Sequence, residues 1–181
     1  MSQPTLWELI KEDWVVNGRD WTRPGFRALA VYRFGAWRMR IRSRCIRAPL
    51  SAIYWFLFRR VRNCYGIEFP YTVQAGRRIV IEHQGAIVIH GNAVIGDDCV
   101  IRQGVTIGNR YLCKPQEAPR LGCRVNLGAG AKLLGNIVIG DGAIVGANAV
   151  VLHDVPADVT VVGIPAKPIK TELDECEFAS L

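Results

Sequence analysis

Long apolar segments are missing from this chain of 181 residues. The longest apolar run, residues 50–58, has nine residues including one serine, whereas a helix needs roughly 20 residues to span a bilayer. The first twenty residues contain Glu8, Glu12, Asp13 and Asp20 and no uninterrupted apolar stretch of the kind found in a secretory signal. We therefore expect a cytoplasmic protein without a transmembrane helix.

Closely spaced cysteine pairs are also missing. The six cysteines form no C-x-x-C motif and no cluster with the spacing of metal ligands. In a chain without a secretory signal, cysteines are more often reduced than paired in disulfides. We expect free thiols, some of them filling the core.

Acidic residues and lysines are missing from residues 21–67, which hold eleven arginines and ten aromatic residues. Because the whole chain has a net charge of +7, the remainder has a net charge of −4 (7 − 11). One interpretation is docking on an anionic membrane surface. Another is helices that pack on the rest of the protein, with arginines facing water or paired with acidic groups. No nucleic-acid-binding motif is recognisable, so we expect no nucleic-acid partner.

Helix signals occur throughout residues 1–67. Thr5 and Glu8 have the spacing of a capping box, in which each side chain hydrogen-bonds the other residue's backbone amide. Pro24 suits the first position of a second helix, and Pro49 could begin a third that ends near Asn63 with Gly66 just beyond. The sequence predicts an Arg-rich helical segment over residues 1–67.

After Gly66, aliphatic residues recur every six positions, often followed by glycine. The recurring positions are Ile89, Ile95, Ile101, Ile107, Leu121, Leu127, Leu133, Ile139, Val145 and Val151. This period is typical of a parallel β-helix built from hexapeptide repeats, with about 18 residues in each coil. A long α-helix is excluded, because each glycine would cost about 1 kcal/mol. The chain is therefore predicted to be mainly β, with a left-handed parallel β-helix over residues 68–168 and an acidic tail over residues 169–181.

One interval breaks the period of the repeat. Ile107 and Leu121 are fourteen residues apart (121 − 107), eight more than one repeat of six. Residues 110–119 are therefore predicted to form a loop that protrudes from the β-helix. Such loops often line a binding face, although a loop without a function is also possible.

A histidine stands where the six-residue step predicts an aliphatic residue. Stepping back from Ile89 leads to His83, with Glu68 fifteen residues earlier and Glu82 adjacent. A carboxylate behind an imidazole fixes its tautomer and strengthens it as a general base. We therefore predict that His83 is a catalytic base oriented by Glu68, although a buried structural histidine would also fit.

The other two histidines have weaker claims to a function. His90 follows Ile89 at a corner and faces solvent or lies near the site, whereas His153 closes the last clear repeat. Hexapeptide β-helices of the γ-class carbonic anhydrases hold zinc with three histidines, two of them in H-x4-H spacing. That spacing is absent here, so we expect no metal.

Five segments, in fixed order, resemble the catalytic domain of bacterial serine O-acetyltransferases. They are residues 81–85 (IEHQG), 104–108 (GVTIG), 128–132 (GAGAK), 155–156 (VP) and 163–167 (GIPAK). The similarity covers about residues 68–167. It implies a homotrimer that binds acetyl-CoA and its acceptor between neighbouring subunits.

The resemblance also implies residue roles. His83 matches the base that deprotonates the acceptor hydroxyl and Glu68 the acidic residue that orients it. The predicted acceptor-binding residues are Glu82, Gln103 and Arg110. For acetyl-CoA, a backbone amide near Gly108 or Asn109 would stabilise the oxyanion, Ala129 and Ala147 would leave room for the cofactor, and Lys167 and Lys132 would meet its phosphates.

The chain departs from the family pattern in two places. The family has an arginine and a second histidine in the loop, where this chain has Glu117 and Ala118. The family's long helical N-terminal domain is replaced by residues 1–67. These departures resemble the acetyltransferases of exopolysaccharide clusters, such as those for colanic acid, so we expect transfer to a sugar hydroxyl. Serine acetylation for cysteine synthesis is the alternative, and a non-catalytic trimeric scaffold is a second one.

Overall fold

A computed structural model describes residues 4–169 of the chain. Three helices come first: α1 (Leu6–Val16), α2 (Pro24–Arg38) and α3 (Arg44–Tyr65). Short strands follow: β1 (Ile67–Glu68), β2 (Gln74–Ala75), β3 (Val80–Ile81), β4 (Ile87–Ile89), β5 (Val94–Ile95), β6 (Val100–Ile101), β7 (Thr106–Gly108), β8 (Arg120–Leu121), β9 (Asn126–Leu127), β10 (Lys132–Leu134), β11 (Val138–Ile139), β12 (Ile144–Val145), β13 (Val150–Val151), β14 (Thr160–Val162) and β15 (Lys167–Ile169).

The strands form the three faces of a parallel β-helix. The sheets have the orders β1-β4-β7-β10-β13, β2-β5-β8-β11 and β3-β6-β9-β12-β14-β15. Every pairing in these sheets is parallel except that of β14 with β15. The regular coils have 18 residues, as Lys132 opposite Val150 shows (150 − 132). These three sheets confirm the predicted left-handed parallel β-helix.

Inward-facing aliphatic side chains fill the β-helix. Nearly all are less than about 5% exposed, and the largest fully buried ones include Ile89, Ile95, Ile101, Ile107, Leu127 and Leu133. Burying each such side chain contributes about 1.5–3 kcal/mol relative to leaving it exposed. The six-residue period of the sequence is therefore the spacing of side chains that point into the core.

The first coil is longer than the others. Ile67 lies opposite Ile87, twenty residues further on, and Ile81 lies opposite Ile101, also twenty residues further on. The two additional residues fall between Ile81 and Ile87, so the inward position before Ile89 belongs to Ile81. The prediction that His83 interrupts an aliphatic column is wrong: His83 is exposed at a corner. The insertion makes the interval from Ile81 to Ile89 eight residues (89 − 81), so a step of six back from Ile89 leads to the corner and not to the inward position.

The helices begin largely where the sequence signals predict. Thr5 and Glu8 form the capping box, with Thr5 N 2.7 Å from Glu8 Oε2 and Glu8 N 3.3 Å from Thr5 Oγ1. The third helix begins at Arg44, not at Pro49, which lies inside it. A proline removes one backbone donor, but its fixed φ is compatible with a helix. The helix ends at Gly66, whose φ of 65° is the left-handed conformation that glycine adopts readily.

Polar side chains from the helices cover the open edge of the first coil. Asn17 donates to Ile79 O at 2.9 Å and accepts from Ile81 N at 3.2 Å. The Tyr32 hydroxyl donates to Val73 O at 2.9 Å and accepts from Ala75 N at 3.1 Å. An uncovered edge strand would expose unpaired backbone groups to other chains. The helical segment therefore caps the β-helix at this end.

Two buried arginines belong to the packing of this cap. Arg33 pairs with Asp13, and Arg38 packs against the rings of both Tyr54 and Tyr71, with its guanidinium carbon 4.4 Å from each centroid. Both arginines are less than 5% exposed. The packing interpretation of the Arg-rich segment therefore holds for these two residues.

No helix within residues 4–169 is long and apolar enough to cross a membrane. Apart from Ile169, the predicted acidic tail lies outside the described residues.

Candidate active site

Four of the predicted site residues lie along one edge of the β-helix. The corners of successive coils are joined there by backbone hydrogen bonds from Gly104 N to Gly85 O, from Gly130 N to Gln103 O and from Asn148 N to Ala129 O, each 2.8 Å long. This stacking puts the corners about 4.8 Å apart. The edge carries, in successive coils, His83, Gln103, Ala129 and Ala147, and we call it the His83 edge.

The exposure of these four residues leaves the His83 edge open to solvent. His83, Gln103 and Ala147 are exposed, and Ala129 is half-buried. Small side chains in the third and fourth coils leave room along the wall above His83. The edge can therefore accept an extended ligand whose reactive end lies beside the imidazole.

A ladder of polar side chains runs beside the His83 edge. Arg102 Nε lies 2.5 Å from Glu82 Oε2, and Arg102 Nη1 donates to Asn126 Oδ1 at 2.6 Å. Glu82 N also donates to Ile101 O at 3.2 Å, which continues the strand pairing up to the corner. About a third of each side chain of the ion pair is exposed, 33% for Glu82 and 32% for Arg102.

Arg102 was not among the predicted site residues. With coils of 18 residues, the neighbour of Glu82 in the next coil would be Val100. The 20-residue first coil replaces it by Arg102 (102 − 82 = 20), in the register that pairs Ile81 with Ile101. The six-residue period alone does not indicate that Arg102 lies beside Glu82, because this contact depends on the length of the first coil.

Glu68 and His83 are not in contact. Glu68 is in β1, opposite Val88 of β4, and is half-buried. Within residues 4–169 of the single chain, no hydrogen bond or ion pair joins the two side chains. The role of Glu68 in orienting His83 therefore stays a prediction.

The two predicted phosphate-binding lysines differ in their surroundings. The ammonium group of Lys132 donates to the carbonyl of Gly104 and to Thr106 Oγ1, 3.1 Å away, so it is bound to its own β-helix wall. Lys167 is exposed in β15, opposite Val162 at the last coil. Of the two, only Lys167 is free to meet a phosphate without losing hydrogen bonds.

Gly108, Asn109 and Arg110 lie where the chain leaves the β-helix for the loop. Gly108 ends β7, and its carbonyl accepts from Gly135 N at 2.9 Å. Asn109 Nδ2 donates to Tyr111 O at 2.9 Å, and the Arg110 guanidinium carbon is 5.2 Å from the centroid of the Tyr111 ring. This segment is held by its own side chains at the base of the loop.

The loop over residues 110–119 protrudes between β7 and β8. Leu112 at its tip is 96% exposed. Gln116 is tied to the β-helix by Asn92, whose Nδ2 lies 2.6 Å from Gln116 Oε1. The loop therefore lengthens the coil without disturbing the faces: β5 and β8 pair across it, with Ile95 opposite Leu121.

The two loop residues that differ from the family pattern, Glu117 and Ala118, have local structural roles. Glu117 Oε1 is 3.0 Å from Lys114 Nζ, and this hydrogen bond raises the pKa of Lys114. Ala118 is 6% exposed and packs in the core where the chain re-enters the β-helix. The charge of Glu117 is therefore paired within the loop.

The remaining histidines occupy turns. His90 Nδ1 accepts from Asn92 N at 3.2 Å, and His153 is exposed in the last complete coil. In the described part of the chain, no three side chains of histidine, cysteine, aspartate or glutamate converge as metal ligands would.

Comparisons with known proteins agree with the repeat and extend it. The family model described as bacterial transferase hexapeptide (six repeats) matches residues 118–153. A serine acetyltransferase from Helicobacter pylori (strain J99) is 41% identical over 146 residues, covering 81% of this chain and 81% of that protein. A serine acetyltransferase from Synechococcus elongatus is also 41% identical over 146 residues, but there the match covers only 57% of the relative.

A solved structure of a serine acetyltransferase in complex with CoA has the same fold. It superposes with a TM-score of 0.77 at 28% identity and covers 92% of this chain and 71% of that chain.

The hexapeptide repeats and the β-helix are those of the hexapeptide-repeat acyltransferases as a class. The identity and coverage of the Helicobacter relative show further that the chain belongs to the serine acetyltransferase family. The predictions of an O-acetyltransferase and of acetyl-CoA as its acetyl donor are confirmed at the level of this family.

The prediction of an exopolysaccharide acetyltransferase is wrong. The relatives that match over 79–81% of the chain are named serine acetyltransferase. The prediction rested on the short N-terminal segment, the variant at residues 108–110 and the replaced loop residues, of which Glu117 forms an ion pair with Lys114 and Ala118 is part of the core. Neither residue therefore carries information about a sugar acceptor.

Proposed function

We propose that this protein transfers the acetyl group of acetyl-CoA to the hydroxyl of L-serine, the reaction that supplies O-acetylserine for cysteine synthesis. The observation that carries the proposal is the 41% identity to a serine acetyltransferase over 81% of both chains. The His83 edge supports it, because an exposed imidazole lies at the end of an open wall on which a cofactor can extend.

In the proposed mechanism, His83 is the general base. Its imidazole takes the proton of the serine hydroxyl while the hydroxyl oxygen attacks the thioester carbonyl carbon of acetyl-CoA. The C–O ester bond forms, the C–S bond breaks, and the proton passes from His83 to the departing sulfur to give the thiol of CoA. A positioned base of this kind contributes about 10²–10⁴-fold to the rate.

Glu68 is proposed to orient His83. A carboxylate that accepts one imidazole N–H leaves the other nitrogen free to take a proton. The two side chains are apart in the single chain, so a small movement of the corner at His83 must bring them together. E68Q should reduce turnover, because a neutral amide stabilises the protonated imidazole less.

Acetyl-CoA is proposed to lie along the His83 edge. Its thioester would be beside His83, with a backbone amide near Gly108 or Asn109 donating to the developing oxyanion. The cofactor would extend past Ala129 and Ala147 toward Lys167, whose exposed ammonium group is suited to a phosphate. Lys132 contributes by holding the wall through its bonds to Gly104 and Thr106.

A homotrimer is the proposed assembly. A corner such as the His83 edge is exposed on one chain, and a neighbouring β-helix packed against it would enclose the reacting atoms and exclude water. Arg110 and the exposed tip of the loop at Leu112 would then face the neighbouring subunit. Light scattering coupled to gel filtration should give the mass of three chains; a monomer at working concentration contradicts this assembly.

Thiol release tests the proposed reaction. The wild-type protein with acetyl-CoA and L-serine should release CoA and form O-acetylserine, detected by mass spectrometry. H83A should be at least about 100-fold slower, whereas H153A, which removes an exposed histidine from the last complete coil, should match the wild type. Wild-type protein without serine-dependent thiol release, or H83A with near-normal turnover, contradicts the proposal.

We further propose that the exposed face of α3 contacts an anionic membrane surface. This face presents Ile46, Ile53 and Phe56, which are 57%, 49% and 66% exposed. The helix contains arginines and no acidic residue. Apolar and aromatic residues beside basic ones are the pattern of helices that lie in the headgroup region.

Sedimentation with vesicles tests this contact. The protein should bind vesicles rich in phosphatidylglycerol and not vesicles of phosphatidylcholine alone, and the double variant I53A/F56A should bind less than W7A, which removes an exposed tryptophan from α1. Equal binding by both variants, or no binding to anionic vesicles at physiological salt, contradicts the proposal.

A further inference from the structure

We infer that Arg102 recognises the carboxylate of the acceptor and, together with Glu82, selects an α-amino acid zwitterion. The inference rests on the proposed function, because it names how serine is recognised at the same site. It starts from the ion pair between Arg102 Nε and Glu82 Oε2, 2.5 Å apart, next to the His83 corner.

The position of the pair favours a role in the acceptor site. Glu82 immediately precedes His83, and Arg102 immediately precedes Gln103, which lies one coil above His83 on the same edge. The strand register places Ile81 opposite Ile101, so Glu82 and Arg102 leave adjacent strands at the same level. The hydroxyl of a ligand that touches this pair would therefore be within reach of the imidazole.

The hydrogen bonds of Arg102 leave capacity for a ligand. A guanidinium has five N–H donors. Nη1 donates to Asn126 Oδ1 at 2.6 Å, and Nε lies in the ion pair with Glu82, so the guanidinium has a polar contact on two sides. Nη2 has no partner within residues 4–169, and the side chain is 32% exposed. A fixed plane with a free donor can bind a carboxylate without first ordering a flexible side chain.

The charges of the pair match those of serine. Serine carries an ammonium group and a carboxylate on the same carbon. The pair offers a carboxylate and a guanidinium from two adjacent strands, and the strands are about 4.8 Å apart. Glu82 can accept from the ammonium group while Arg102 donates to the carboxylate. An acceptor without the carboxylate makes no contact with Arg102, and an acceptor without the ammonium group makes no contact with Glu82.

A carboxylate-binding role for Arg102 is compatible with the presence of Glu117 and Ala118 in the loop. Glu117 is paired with Lys114, and Ala118 is buried, so the loop offers neither a free cation nor an imidazole at these positions. Arg102 supplies from the wall of the β-helix a cation that the loop lacks there.

Acceptors that differ in charge test the inference. The wild type should use L-serine better than ethanolamine, which lacks the carboxylate, and better than 3-hydroxypropionate, which lacks the ammonium group. R102Q should lower kcat/KM for L-serine by about 10- to 100-fold, the value of a lost charge-assisted hydrogen bond. The loss should appear mainly in KM. R102Q should change kcat/KM for ethanolamine, which has no carboxylate, much less than kcat/KM for L-serine, and R102K should recover part of the lost activity on serine.

The matched control is R124Q, which removes an exposed arginine from a corner of the same β-helix. It should behave as wild type with all three acceptors. An R102Q variant with unchanged KM for serine overturns the inference and leaves the proposed function intact. Equal losses with all acceptors and with acetyl-CoA also overturn it, because they indicate a purely structural ladder. A wild type that does not acetylate serine overturns the proposed function, and this inference with it.

Discussion

Arg33 and Asp13 form a buried ion pair that joins α1 to α2. Arg33 Nε is 2.7 Å from Asp13 Oδ2, and Nη2 is 3.2 Å from Oδ1, with the side chains 4% and 0% exposed. The same guanidinium donates to Gly76 O at 2.6 Å and to Ala75 O at 3.3 Å. One side chain therefore connects two helices to the first coil of the β-helix. Burial raises the pKa of Asp13, and the hydrogen bonds from Arg33 act against that shift.

Removing one member of this pair should be strongly destabilising. R33M leaves the Asp13 carboxylate buried without a partner, which costs about 3–5 kcal/mol of unfolding free energy. Urea denaturation followed by circular dichroism measures the change. The double variant D13L/R33M should lose less stability than the sum of the two single variants, because no buried charge remains. Additive losses would show that the two side chains act independently.

The contact between α2 and β3 depends on a glycine. A Cβ at Gly25 would lie 2.2 Å from Ile81 O and 2.7 Å from Ile81 Cβ. G25A should therefore move α2 away from the first coil and lower the melting temperature. The control is G108A, judged on stability alone, because a Cβ at Gly108 has its nearest contact at 3.9 Å. A G25A protein as stable as the wild type would mean that the helix is not packed against Ile81.

Cysteine reactivity should follow burial. Cys99 is 0% exposed in the core, and burial raises the pKa of its thiol to about 12. Because the thiolate is the reactive form, iodoacetamide at about pH 8 should modify the exposed Cys45, Cys64 and Cys113 and spare Cys99. Peptide mass spectrometry measures the labelling. Cys99 should react once the protein is unfolded in urea; labelling of native protein at Cys99 would contradict the buried position.

An ion pair between two corners should give the protein part of its resistance to acid. Arg78 donates to both oxygens of Asp98, at 2.6 Å and 2.7 Å, and this hydrogen bonding holds the pKa of Asp98 below its ordinary value of 3.8. A carboxylate with a lower pKa in the folded state stabilises the protein above its unfolded pKa. That contribution is lost as the pH falls through the folded pKa.

The variant D98N should remove this dependence. Asparagine tolerates the left-handed conformation of residue 98, where φ is 59°. Between about pH 7 and about pH 3, the melting temperature of D98N should fall less than that of the wild type. R78Q removes the partner of the same pair and should show the same smaller fall. A fall equal to that of the wild type in both variants would mean that the pair does not contribute.

The sequence alone determined the β-helix and much of its cap. Ile95, Ile101 and Ile107 repeat at six residues because each points into the same core, and a strict period can be read without a structure. The capping box at Thr5 and the left-handed Gly66 are local signals, set by neighbouring residues. The fold class follows from such signals, whereas the enzyme class was predicted from the resemblance of five short segments to a known family.

Only the tertiary structure decided where the site residues lie. The length of the first coil depends on which strands pair, and strand pairing is a long-range property. This register places His83 at an exposed corner and Arg102 beside Glu82. The partners of Asp13 and Lys114 also decide whether a charge is available to a ligand or already paired within the chain. A period can show which side chains point inward. The contacts of the outward ones depend on coil length and strand pairing, which the period does not contain.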